Sequence, residues 1–234
     1  MYYKLLSQNM TSHNNTQWEL GVKKSISIPS DRMCSDQVFH CYNHPALAAF
    51  FNVVHAAIRN PRLFQIEVDK IINHDGMKFA SKEQTLVREL ALPQISKEQM
   101  IEFAMRVVLS LGAEHIAEPW VKWMENWLNG KQETDCDKLY SVRSTSTQHL
   151  HRFIDGAVHR IHDAAGVWLS QCSGCSSHTL ESFTAPSFFN QTLAIAVFSL
   201  SPDYPFDQGN SDYYCAFNKN LIEIMESVLD KPLS

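Results

Sequence analysis

The segment SKEQMIEFAMRVVLSLG, residues 96–112, decides the reading of the fold. Ser96 and Gln99 stand three apart, the spacing at which a serine hydroxyl and a glutamine amide each satisfy a backbone N–H that the first helical turn leaves without a partner. Behind them Met100, Ile101, Phe103, Ala104, Val107, Val108 and Leu111 recur at helical spacing, and Gly112 stands where a C-terminal cap belongs. The same tetrapeptide occurs once more, as Ser81-Lys82-Glu83-Gln84. It predicts a second helix start, and with both signals the expectation turns mainly α.

Working outward, Asn43-His44-Pro45 presets a first helical turn, so Ala46 to Ile58 reads as a helix, and Asn60-Pro61 repeats the device for a helix ending near Gly76. Glu118-Pro119-Trp120 opens another that stops at Gly130. Phe153, Ile154, Ala157, Val158, Ile161, Ala164, Ala165 and Trp168 line one side of a long helix over 146–170, and Leu221, Ile222, Met225, Val228 and Leu229 line a last one over 218–229. Strands are confined to an alternating run from Val22 to Ile28, suited to a sheet edge, and to the apolar run 192–200. The expected fold is therefore an all-alpha, bundle-like protein with a small β element near the N-terminus and another at 192–200. It forms one domain over 1–234, with a subdivision into a helical part, 1–130, and an α+β part, 138–234, at the polar connection between them.

Composition excludes several function classes. The 234 residues are 44% apolar and 19% charged, with a net charge of -5 and no block of Lys or Arg to track a phosphate backbone, so nucleic acid is not an expected partner. No apolar run reaches the length of a bilayer span, and the opening residues carry no secretory leader, which places the expected location in the cytoplasm, away from membrane. Six cysteines then read as free thiols rather than three disulfides. The chain has no G-x-S-x-G, P-loop or G-x-G-x-x-G motif, and its 8 glycines leave little material for phosphate-cradling loops.

Three groups of residues could carry chemistry or binding. His151, Asp155, His159 and His162 form one polar stripe on the long helix, which reads first as a solvated helix flank, with ligand types and spacing that also suit zinc or iron. Cys172 and Cys175, with His178 three residues on, form a C-x-x-C group that suits thiolate metal binding, a regulatory thiol pair or plain loop thiols. Trp120, Trp123 and Trp127 share one helix face, which belongs either to the core or to a partner-binding surface, since aromatic side chains dominate interface hot spots. Cys34, His40, Cys41 and His44 have no regular metal-finger spacing and read as packing and capping residues.

Val38-Phe39-His40 leading to His44-Pro45-Ala46-Leu47, together with Phe103 through Trp120, Trp123, Trp127 and Leu128, resembles the partner subunit of the methanobactin-biosynthesis enzyme. That resemblance implies a non-catalytic subunit that binds an iron-dependent catalytic partner and helps dock a ribosomal precursor peptide whose cysteines are modified. The expected function is accordingly a binding or adaptor protein with a protein or peptide partner, a biosynthesis accessory protein without catalytic activity of its own and with no cofactor. The alternative is a helical His/Cys metal-binding protein or metalloenzyme using zinc or iron.

Overall fold

A computed structural model of the chain describes residues 1–13, 15–29, 33, 35–56, 58–74, 76–112, 116–130, 161 and 211–230. It divides into two compact units, Met1–Ile95 with Gln208–Ser227, and Ser96–Asp207 with Val228–Ser234.

The first unit is built on β structure, which overturns the expectation of an all-alpha bundle. Among the described residues there are seven strands: β1 Tyr2–Leu6, β2 Lys23–Ser25, β3 Phe39–Cys41, β4 Arg62–Val68, β5 Ile71–His74, β6 Phe79–Ser81 and β7 Glu83–Leu90. All ladders are antiparallel, in a four-stranded sheet of order β1-β4-β7-β2 and a three-stranded sheet of order β3-β6-β5. Tyr3 and Tyr42 exchange backbone hydrogen bonds of 2.8 and 2.9 Å, which tie β1 to the chain just after β3.

The expected helices over 61–76 and from Ser81 are strands because their apolar residues alternate. On β4, Phe64 and Ile66 point to one face and are buried, and on β7 Gln84 and Leu86 do the same. The β4–β7 ladder gives these residues long-range partners, Ile66 opposite Leu86 and Val68 opposite Gln84. Leu6, Trp18, Cys41, Phe64, Ile66 and Leu86 form the core of this unit, with Tyr2, Met10, Phe39 and Phe79 packed around it. At the start of β7 the Ser81 hydroxyl donates to the Glu83 carbonyl and accepts from the Gln84 amide, so neither side chain caps a helix. The run near Val22 does form an edge strand, β2, as its alternation indicates.

Two helices complete the unit. Helix α1, Pro45–His55, starts where the proline signal places it, and the His44 Nδ1 accepts the Ala46 N–H at 3.2 Å as its cap. The last described helix, numbered α4 below, is Ser211–Leu229 and begins seven residues before the expected start. Asn218, buried on it, accepts from the Asn43 amide at 2.7 Å and donates to the Gly76 carbonyl.

In the second unit, α2 is Lys97–Gly112 and α3 is Glu118–Leu128. The expected capping box is present at the start of α2: the Gln99 N–H donates to Ser96 Oγ at 3.1 Å, and the Ser96 N–H donates to Gln99 Oε1 at 2.9 Å. Past the end of α3, Gly130 takes φ +76 and returns its N–H to the Trp127 carbonyl, a left-handed stop that glycine adopts without strain.

Candidate functional site

Strand β1 reads Tyr2-Tyr3-Lys4-Leu5-Leu6, and alternation sends Tyr2, Lys4 and Leu6 to the face that packs into the core. A lysine in such a slot must have its ammonium satisfied, because burying a charge without partners is expensive. Lys4 is 6% exposed, and its Nζ donates to the His40 carbonyl at 2.8 Å and to Gln84 Oε1 at 3.0 Å. The ammonium also stands 4.5 Å from the centre of the Trp18 ring and 5.8 Å from that of Phe39. Gln84 is held in turn by donating to the Phe39 carbonyl and to Ser81 Oγ. Each of these acceptors is neutral, and burial lowers the Lys4 ammonium to about 8.

Lys4 lines a cavity of about 440 Å3 whose walls come from β1, the 12–16 loop, β3, the end of α1 and the start of β6. Leu5, Val38, Phe39 and Ile58 supply apolar surface, while His40, Tyr42, His55 and Lys78 supply polar groups. Asp36 and His13 are exposed at its rim.

The two half-buried imidazoles are held neutral. His40 donates from Nε2 to the Met33 carbonyl, which leaves its Nδ1 as the acceptor, and burial, with Lys78 and Lys4 nearby, lowers it to about 4 despite that bond. His55 stacks between Tyr42 and Phe51, with its Nδ1 2.8 Å from the Tyr42 hydroxyl. Burial first, then Lys78 and His40, lowers it to about 3. Its Nε2 is buried with no hydrogen-bond partner among the described residues. Whichever nitrogen carries the single proton of the neutral ring, Nε2 keeps an unmet donor or acceptor. Cys41, beside this group, is fully buried, donates to the Phe79 carbonyl at 3.6 Å, and has its thiol pushed up to about 12 by burial. It is no nucleophile, because only the thiolate reacts.

Of the sequence-derived candidates, the tryptophans and part of the N-terminal cluster lie among the described residues. Trp120, Trp123 and Trp127 are buried on α3, at 1%, 8% and 5% exposure, and pack against one another with ring centres 5.9 and 6.0 Å apart. His151, Asp155, His159, His162, Cys172, Cys175 and His178 lie outside the described residues, as does Cys34. Among the described residues no group of three His, Cys, Asp or Glu side chains is placed to hold a metal ion. Of the N-terminal cluster, Cys41 packs in the core, His44 caps α1, and His40 turns into the cavity.

Lys4, Tyr42, His55 and Lys78 were not singled out by sequence reasoning, and Gln84 was read only as part of a helix cap. The available signal was the alternation in β1, which sets Lys4 between Tyr2 and Leu6 on an apolar face. Among the described residues no helix is long and apolar enough to cross a membrane. No curated protein and no solved structure matches the chain. Residues 1–98, which include every residue lining the cavity, match the model of a family described as a domain of unknown function, DUF7666.

Proposed function

We propose that this protein is a non-catalytic binding protein whose β unit holds a small organic molecule in the pocket of Lys4, His40 and His55. The observation that carries the reading is the pocket: about 440 Å3, within the size range of small-molecule sites, with apolar walls and a few convergent polar groups. Its groups suit holding better than reacting. The Lys4 ammonium is engaged by two acceptors, and both imidazoles are fixed by neighbours. In the partner-subunit reading, the bound molecule would serve a catalytic partner rather than be transformed on this chain. A cytoplasmic setting belongs to the same reading, supported by the free thiols of Cys41 and Cys215.

Ligand-observed NMR against a library of small organic molecules tests the proposal. Hits are expected on the wild-type chain and should vanish in Ser12→Trp, whose indole would fill the mouth of the pocket. A library without hits, or hits that persist unchanged in that variant, would overturn it.

A further inference from the structure

We infer that the ligand of this pocket is an organic monocarboxylate with an apolar body, its carboxylate pairing with the Lys4 ammonium. The inference rests on the pocket reading above and adds the ligand's charge and chemical class.

The first observation is an uncompensated charge. Lys4 is buried, both of its hydrogen-bond acceptors are neutral oxygens, and no carboxylate lies within ion-pair reach of it among the described residues. Cys41, the ionisable group that acts on it, is a neutral thiol at pH 7. The aromatic faces of Trp18 and Phe39 offset part of the cost of holding a cation there. They leave the net charge in place, and a buried charge without its counter-ion is the arrangement that destabilises most. An ammonium has three donors. Two go to the His40 carbonyl and Gln84 Oε1, so one remains for a ligand acceptor.

The second observation is the character of the remaining walls. Lys78, at 8% exposure, stands close enough to lower the basicity of both His40 and His55, and the acidic residue of the lining, Asp36, is exposed at the rim. His55 Nε2 is a buried polar atom with no hydrogen-bond partner among the described residues, and a carboxylate or its bound water can supply one. Leu5, Val38, Phe39 and Ile58 offer apolar surface that an inorganic anion cannot use and an organic body can. One ammonium lacking a counter-charge calls for one negative charge, which favours a carboxylate over a phosphate dianion.

The test uses three probes on the full chain: 3-phenylpropanoate, its neutral isostere 3-phenylpropanamide, and inorganic phosphate. Affinities come from calorimetry at pH 7, and binding in the pocket is located by its loss in Ser12→Trp. The acid is expected to bind at least tenfold tighter than the amide and than phosphate, and Lys4→Met should bring the acid-to-amide ratio close to one. Acid and amide binding equally, both lost in Ser12→Trp, would overturn this inference while leaving the pocket reading intact. Phosphate matching the acid would overturn the apolar-body assignment. Absence of binding by all three probes, together with an empty library screen, would sink both readings. Should Lys4→Met not fold, the acid-to-amide ratio on the wild-type chain still decides.

Discussion

Lowering the pH from 8 to 5 should remove about 4 kcal/mol of stability from the β unit through His40 and His55. In an unfolded chain each imidazole titrates near 6.5, whereas the fold holds them at about 4 and about 3, chiefly by burial. Above pH 6.5 both states are neutral at these positions and stability is undiminished. Below it, the unfolded chain takes up two protons that the folded chain refuses until the pH reaches about 4 at His40 and about 3 at His55. Stability is lost across that window at up to about 2.7 kcal/mol per pH unit, which by pH 5 amounts to about 2 kcal/mol from each ring. Against a typical total of roughly 5–15 kcal/mol this is a large fraction. The assay is urea unfolding at pH 8, 6.5 and 5, followed by fluorine NMR of labelled indoles at Trp18, the sole tryptophan of the β unit, whose resonance Trp18→Phe assigns. His55→Gln should retain about half of the wild-type pH dependence. A His40→Gln, His55→Gln double variant that loses as much stability as the wild type between pH 8 and 5 would refute the reasoning.

Three further outcomes follow from the packing and the caps. Ser96→Ala removes the hydroxyl that accepts the Gln99 N–H at the start of α2, and should cost about 1 kcal/mol by urea midpoint at the tryptophans of α3; no change would mean the box contributes nothing. Asn218→Leu leaves the Asn43 amide and the Gly76 carbonyl without their α4 partner and should cost about 1–3 kcal/mol, read from the same titration at Trp18; a neutral result would show that water replaces the amide. Protein purified without a metal-binding tag is expected to carry no stoichiometric zinc or iron by plasma mass spectrometry; about one equivalent, lost on His159→Ala or Cys172→Ser, would make the His/Cys metal reading the leading one.

The helices were legible where their signals are local. His44-Pro45 fixes the start of α1, Ser96 and Gln99 that of α2, and Pro119 and Gly130 bracket α3, because a cap or a fixed φ acts within a few residues of itself. The strands over 62–90 were misread for a complementary reason. Asn60-Pro61 and Ser81-Lys82-Glu83-Gln84 carry helix-start chemistry, and a turn preceding a strand satisfies the same requirements. The site was less legible still. His40 was visible as one member of a cluster, but nothing in its neighbourhood indicates that it faces Lys4, and the tryptophan stripe could be read as core or as interface until burial assigned it to the interior.

The tetrapeptide Ser-Lys-Glu-Gln shows where the division falls. At 96–99 the residues that follow repeat every three to four positions, so hydroxyl and amide close on the backbone of their own turn and the sequence by itself determines a helix. At 81–84 the same side chains enter a strand, where the hydroxyl of Ser81 and the amide of Gln84 bond to each other, and Gln84 reaches on to Lys4, eighty residues away in the chain. That choice belongs to the tertiary structure, because it depends on β4 lying alongside β7 and on a buried ammonium needing an acceptor. The pocket follows from the same cause: Lys4, His40, His55 and Lys78 acquire a common environment, and Lys4, His40 and His55 their altered basicities, only once the sheets and α1 have closed around them and removed much of the surrounding water.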